Sequence, residues 1–527
     1  MGKETVMREF NTLGPVNPRE HYHVNRVAVK AAMRAKIKKG RYFTLNAGRQ
    51  TGKTTLFREV MAELAADEGY FGILVSFETL RGYGRRDFYY WLQRKVYESM
   101  VGSADIDLNT LAWLETTKIT DHNSFGLMLS HLCQRVGRRG VLIIDEFDAV
   151  APRFAELILS VLREMYLRRD QPALPTLHSV ILVGVRNIPS LLGGTQSPFN
   201  IAEQFTVPYF TPDEVADLLS QHTAETGQVI APMTVNAIFL ETAGQPFLVN
   251  RLGQLLTQDI VPARNEAIQP THLNYALALL LRENNTHFAS IVSKATPHRA
   301  VLLPTLLYDE RRTDFLDPVT QDLIMYGVLR EVEEEPHLRV ARVANPIYRK
   351  MLLLRFSRPS NDLQLNGAVR NRYLHNGALD FDGLLDSFHA FMREHGVRLL
   401  RSEASGRPLE ISGQYLLLSY LTAALNTVGG LVTIESLSSA GEIDLLAFYQ
   451  GQRFIIETKI WYGPAAFGRA KTQLAAYVRA ASLPTGYLVI FDENVMDNPL
   501  RADHGEVFEA NEGDERLRVY LIGVRVG

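Results

Sequence analysis

Two groups of residues in this 527-residue chain have the types and spacing of chemical sites. The first lies in GEIDLLAFYQGQRFIIETKIW, residues 441–461. Two apolar runs flank Gln450 and Gly451, yet Asp444 stands on one run and Glu457 and Lys459 on the other. A two-residue turn at 450–451 pairs Tyr449 with Gln452 and, counted back, sets Asp444 opposite Glu457. Lys459, two residues on, shares their face. Like charges directly opposite destabilise a sheet, and ionised carboxylates on an apolar hairpin cost free energy. A divalent cation removes both objections, and carboxylate oxygens suit magnesium or manganese. Lys459 beside such a cation can orient water or stabilise a pentavalent phosphate.

The second group lies some four hundred residues earlier, in NAGRQTGKTTLF. A short apolar run precedes it and an amphipathic stretch follows it. That strand–loop–helix context is what a phosphate-binding loop needs, because loop amides and the helix N-terminus point at anionic oxygens. Gly48, Arg49, Gln50, Thr51, Gly52, Lys53, Thr54 and Thr55 form the expected cradle for ATP. Gly52 lets the backbone approach the phosphates, Lys53 neutralises the β and γ groups, and Thr54 offers a hydroxyl to magnesium. Ala47 stands where the motif G-x4-G-K-[ST] asks for its first glycine. Downstream, VLIIDEF reads as a buried strand ending in two acids. Asp145 is placed to hold magnesium through water, and Glu146 to orient and deprotonate an attacking water.

The elements that must position these groups follow from pattern. From Tyr42, short apolar strands (YFTLNA, FGILVSF, GVLIIDEF, SVILVGV) alternate with amphipathic helices, which predicts a mostly parallel sheet covered on both faces. Residues 27–40 read as a helix whose lysines and arginines form a solvated face. After VPYF the chain turns helical, and Thr211 with Glu214 predicts a capping box. Residues 317–356 read as helix, β-hairpin and helix, the outline of a winged helix. Residues 357–367 are polar and breaker-rich, a linker signal. A smaller α/β unit, in the order helix, strand, strand, helix, strand, follows from about residue 379. The expected partition is a lead-in 1–26, core 27–208, helical lid 209–285, winged helix 286–356, linker 357–378 and C-terminal unit 379–527.

Bulk properties bound the possibilities. A formal net charge of −2, from 56 basic and 58 acidic residues, excludes a general polycation, so any nucleic-acid contact must come from local patches. A single cysteine excludes a disulfide framework and a cysteine-based zinc site. No apolar run reaches the ~18–20 residues that span a bilayer, so no membrane partner is expected. The opening MGKETVMREF lacks the apolar core of a secretory signal, and a cytoplasmic setting is the simplest expectation.

GRQTGKTT, LIIDEF, ILVGVRN and GQPFLVNR together resemble the AAA+ and STAND-like ATPases over about residues 11–356. The resemblance implies a γ-phosphate sensor at Arg186 or Asn187. It also implies a lid motif at Gly244, Gln245 and Pro246 against the nucleotide, with Arg251 at a lid position able to sense phosphate. Tyr22, His23 and Val24 would cover adenine. The C-terminal residues resemble the PD-(D/E)XK nuclease superfamily over about residues 379–527: an acid, Asp444, on one strand and Glu457-x-Lys459 on the next. That resemblance adds Glu410 on a preceding helix and Gln473, with Tyr477 one turn on, on a following helix. It places Glu410, Asp444, Glu457 and Thr458 around the metal.

The fold class expected is therefore α/β: a P-loop AAA+-like parallel sheet with helical lid and winged helix, plus a restriction-endonuclease-like α/β domain. The function expected is an ATPase coupled to a metal-dependent nuclease acting on nucleic acid, DNA foremost. ATP and Mg2+ are the expected cofactors, with Mn2+ possible at the nuclease site. Homo-oligomers, an activating protein or nucleic-acid trigger and a role in prokaryotic defence follow from the resemblance. The alternative is a nucleotide-switched DNA-binding or signalling ATPase with an inert nuclease-like domain.

Overall fold

The computed structural model describes residues 7–523 apart from 47, 49, 67–68, 104–105, 172–173, 185–200, 309–316, 336–337, 357–372, 376, 401–408, 439–440 and 493–494. The chain divides into two compact units. One comprises Met1–Glu214, Gln245–Phe247 and Thr313–Glu331; the other comprises Val215–Gly244, Leu248–Arg312 and Val332–Gly527.

In the first unit, β1 (Tyr42–Asn46), β2 (Tyr70–Ser76), β3 (Arg139–Asp145), β4 (Ser179–Gly184) and β5 (Glu203–Thr206) form one sheet in the order β2-β3-β4-β1-β5. Every pairing is parallel. The central strands are apolar on both faces because both faces are covered. Leu142, Ile144, Val180 and Leu182 join one core cluster, while Val141, Ile143, Ile181 and Val183 join another. That division is what strict alternation along two buried strands requires. Strand β5 has no counterpart among the sequence-based expectations. It is a short edge strand, EQFT, whose burial alternates, so only Phe205 carries an apolar signal.

The basic helix Val27–Lys38 is laced by acids: Lys30 pairs with Glu59 and Glu63, Arg34 with Glu63, and Lys36 with Glu203. These three cations are tied to acids of helix Lys53–Ala65 and of β5, and Lys30 is only 12% exposed, so this side of the helix is engaged by the protein rather than freely solvated as expected. The capping box forms as expected. The Thr211 amide donates to Glu214 Oε2 at 2.9 Å, and the Glu214 amide to Thr211 Oγ1 at 3.2 Å.

The chain then runs through helices Pro232–Thr242, Pro246–Gln254, Pro270–Arg282 and Thr286–Ala295. Helix Pro318–Met325, strands β6 (Leu329–Glu335) and β7 (Leu338–Val343), and helix Pro346–Phe356 follow in the expected order. After a two-residue pair, β8 (Leu374–His375) with β9 (Ala378–Leu379), come helices Phe381–Leu400 and Leu409–Val428.

The C-terminal sheet contains β10 (Leu431–Ser438), β11 (Gly441–Tyr449), β12 (Gln452–Ile460), β13 (Gly486–Asp492), β14 (Val507–Glu512) and β15 (Glu515–Gly523), ordered β10-β11-β12-β13-β15-β14. β10 to β12 form an antiparallel meander, and β13 and β15 add in parallel. Helix Pro464–Ala481 crosses between β12 and β13, and its Leu474 and Val478 pack with Leu446, Ile455, Leu488 and Ile490. The architecture exceeds the expected strand–strand–helix–strand order by β10 and the β14–β15 hairpin. β10 is separated from the long apolar helix before it by only Gly429 and Gly430, so its pattern merges with that helix in sequence.

Candidate functional sites

At the phosphate loop, backbone geometry does what the residue types require. Gln50 and Gly52 both adopt left-handed conformations, φ 55° and 80°, and helix Lys53–Ala65 starts directly after them. Such a φ costs glycine nothing and other residues about 1 kcal/mol or more. The Thr51 hydroxyl donates to the Gly48 carbonyl at 3.0 Å, and Lys53 Nζ donates to the same oxygen at 2.9 Å. Thr54 lies in the first helical turn, half-buried. Thr55 has a different engagement from the one expected: its hydroxyl accepts the Val16 amide at 3.2 Å, tying the lead-in to the loop helix. Arg49 lies outside the described residues.

Asp145 ends β3 beside Ser76 of β2. Its Oδ1 accepts the Glu146 amide at 2.9 Å. Burial raises its pKa while the Lys53 charge opposes the rise, so the lysine and this acid share one electrostatic site. Glu146 takes a left-handed conformation, φ 52° and ψ 41°, that a non-glycine residue rarely adopts. Strain of this kind concentrates at functional positions. Gln245 is buried and its Nε2 donates to the Gln50 carbonyl at 3.4 Å, while Pro246 opens the helix that follows. The lid motif thus reaches the loop through its middle residue. Arg251 is held by Glu283 at 2.7 Å. Arg186 and Asn187 lie outside the described residues. In the lead-in, Tyr22 and Val24 are buried, Tyr22 packs against Phe10 with ring centroids 4.9 Å apart, and His23 pairs with Glu59 at 2.6 Å. One wall was not foreseen: a Cβ on Gly327 would meet Tyr209 Oη at 3.4 Å and Gly48 Cα at 3.8 Å. Only the glycine in MYGV, after a helix, hinted at a close approach.

The C-terminal hairpin matches its expected register. Gln450 and Gly451 are both left-handed, φ 45° and 83°, as a two-residue hairpin turn needs. Five pairs follow, from Tyr449 with Gln452 to Leu445 with Ile456. At the open end the ladder gives way to side chains. Asp444 Oδ2 accepts both the Thr458 amide and the Thr458 hydroxyl at 2.8 Å. Thr458 therefore orients the first carboxylate. Lys459 Nζ lies 2.6 Å from Glu457 Oε1 and 3.6 Å from Asp444 Oδ2, which brings all three charged groups together.

Glu457 is fully buried. Its Oε2 has no hydrogen-bond partner. Burial, then the Asp444 charge, pushes its pKa up from 4.5 to about 7, against the pull of Lys459. A buried carboxylate with an orphaned oxygen beside a second carboxylate is a donor set that suits a hard divalent cation. Among the described residues, no three His, Cys, Asp or Glu side chains cluster as a metal site. Glu410 falls in the first turn of helix Leu409–Val428, and its side chain lies outside the described part. Gln473 is exposed and donates to Tyr477 Oη at 2.8 Å. Tyr477 is buried, and its phenol is raised by burial, with the Glu457 and Asp444 charges adding to the effect. Gln473 thus engages Tyr477, whose phenol feels the charge of the carboxylate pair.

A protein-family model described as an AAA-like domain matches residues 12–286. No curated protein matches the chain. Among solved structures, a Walker-type ATPase of Pyrococcus abyssi aligns at 17% identity and TM-score 0.44, covering 65% of this chain and 99% of that one. The ORC1 protein of Aeropyrum pernix in complex with DNA aligns at 15% and 0.33, covering 63% and 92%. The RuvB Holliday junction branch migration motor of Thermotoga maritima aligns at 14% and 0.33, covering 60% and 92%.

Proposed function

This chain belongs to the AAA-like domain family, and on that premise we propose that it is an ATP-regulated, metal-dependent nuclease. The first unit carries a P-loop ATPase-like module. In it, Lys53 would neutralise the transferred phosphate, Thr54 and Asp145 would hold the magnesium that accompanies ATP, and Glu146 would orient the attacking water. Gln245, through its hydrogen bond to the Gln50 carbonyl, would follow the occupancy of the loop, with Pro246 opening the helix behind it.

The single observation that carries the nuclease reading is the convergence of Asp444, Glu457 and Lys459 on one face, with a buried carboxylate oxygen left unpartnered. Asp444 and Glu457 would hold the cation, joined by Glu410 and the main chain at Thr458. The cation, when bound, supplies Lewis-acid activation of a phosphodiester and of its attacking water. Thr458 fixes the Asp444 carboxylate, and Lys459 balances the charge of the pair and stabilises the negative charge that grows on phosphate. Nucleic acid, DNA foremost, is the substrate class, and homo-oligomers and a defence setting remain expectations from the family resemblance.

The DNA-binding alternative leans on the β6–β7 hairpin, and its charge does not favour phosphate. Strands β6 and β7 together carry Glu331, Glu333, Glu334 and Glu335 against Arg330, Arg339 and Arg342, so no basic excess stands on the hairpin.

The test is cleavage of plasmid DNA, single-stranded DNA and RNA with Mg2+, Mn2+ or chelator, with and without ATP. Wild type should cut only with metal. Lys459→Ala should lose at least a hundredfold while still binding ATP, and Lys53→Ala should lose nucleotide binding. Undiminished cutting by Lys459→Ala would overturn the reading.

A further inference from the structure

The second unit contains a cleft that neither proposed activity uses. It has a volume of about 550 Å³ and opens between two helices, Pro232–Thr242 and Pro270–Arg282, and the β11–β12 hairpin. This volume falls within the range of small-molecule sites, ~300–1,000 Å³. The floor is apolar: Leu446 and Ile455 are directly paired across the hairpin and fully or nearly fully buried. The rim is apolar too, with Met233 67% and Leu240 54% exposed. Large apolar side chains left in water around a concave apolar floor mark a binding site rather than a plain surface.

Among the residues lining the cleft, Arg453 alone is charged. Its one protein hydrogen bond among the described residues runs from Nη2 to the Ala481 carbonyl at 3.0 Å. A guanidinium carries five N–H donors, so most of its donor capacity has no protein acceptor there. Amide side chains at Asn236 and Gln269 add further donors around the mouth.

We propose that this cleft binds a small amphipathic organic anion, its apolar body against the exposed Met233 and Leu240, above the Leu446–Ile455 floor, and its acid group on Arg453. A carboxylate, sulfonate or phosphate head shares the required chemistry, planar or forked acceptors against the guanidinium fork. The position has a consequence for the rest of the hairpin. Alternate residues of β12 share one face, so Arg453, Ile455 and Glu457 lie in line, about 14 Å from end to end at ~3.4 Å per residue. The residue pair that floors the cleft is therefore the neighbour of Asp444 and Glu457 on their own face. The site does not depend on the nuclease reading, since binding can be measured without cleavage.

The experiment titrates the full chain with two fluorescent probes of the same shape. One is the anion 8-anilinonaphthalene-1-sulfonate; the other is neutral N-phenyl-1-naphthylamine, which lacks the sulfonate. One sulfonate probe should bind per chain. Arg453→Met should weaken the sulfonate about tenfold and leave the neutral probe within twofold. Ala480→Trp fills the cleft from an exposed position on helix Pro464–Ala481 and should weaken both probes at least tenfold. Leu240→Trp repeats the filling from the opposite wall, and melting curves establish that each variant is folded. Failure of both probes to bind, equal loss of both in Arg453→Met, or wild-type binding in both filled variants would overturn the proposal.

Discussion

Raising the pH from 6 to 8 should tighten binding of Mn2+ at the Asp444–Glu457 pair about tenfold. Glu457 sets this response, because its burial and its neighbour Asp444 lift its pKa from 4.5 to about 7. With that value the ionised share of Glu457 rises from about one-tenth at pH 6 to about nine-tenths at pH 8. A metal must displace the proton, so apparent affinity follows that share. An ordinary glutamate near 4.5 would be ionised throughout and would give no change. Calorimetric titration of the nucleotide-free chain at both pH values measures the affinity, and buffers of different ionisation enthalpy count the proton released. Asp444→Asn serves as the subtraction control. Close to one proton should leave at pH 6 and very few at pH 8. An affinity that moves less than twofold, with no proton released at pH 6, would refute the reasoning.

The same shift predicts how the metal-free chain responds to Glu457→Gln. A raised carboxyl pKa means the folded chain keeps a proton that the unfolded chain has already lost, so stability falls as pH rises from about 4.5 to about 7. At 1.36 kcal/mol per unit the cost approaches about 3 kcal/mol at pH 8, and Glu457→Gln should recover much of it there and little at pH 4.5, as read by urea unfolding. The ion pair of Lys350 with Glu241, 2.7 Å apart and almost wholly buried, gives a second test. Lys350→Met should destabilise by about 3–5 kcal/mol by leaving Glu241 buried without its partner, and adding Glu241→Leu should restore most of the loss in thermal melts. Gly52→Ala, at φ 80°, should cost about 1 kcal/mol and weaken ATP binding measured by nucleotide fluorescence.

Much of this arrangement was legible because short-range geometry decides it. Gln450 and Gly451 define a two-residue turn, and a turn of that length leaves one register, so Asp444 and Glu457 could be brought together by counting. The parallel sheet was legible for a similar reason: strands covered on both faces read as continuous apolar runs. What stayed hidden depends on long-range packing. Strand β5 sits at an edge and half-buries one aromatic ring, Phe205, too little for a pattern. Gly327 approaches Gly48 of the phosphate loop from a segment far away in sequence. Tyr477 stands one turn from Gln473, yet the hydrogen bond between them needed the fold. The Thr458 contribution was also assigned differently in part, since its amide and hydroxyl both serve Asp444.

Metal-dependent phosphodiester hydrolysis, compared between wild type and Lys459→Ala with ATP binding measured on the same samples, tests the central claim most directly. Wild type should cut in Mg2+ or Mn2+ and not with chelator, and the variant should lose at least a hundredfold with nucleotide affinity intact. Equal cutting by both proteins, or none by wild type on any DNA or RNA in either metal, would contradict it.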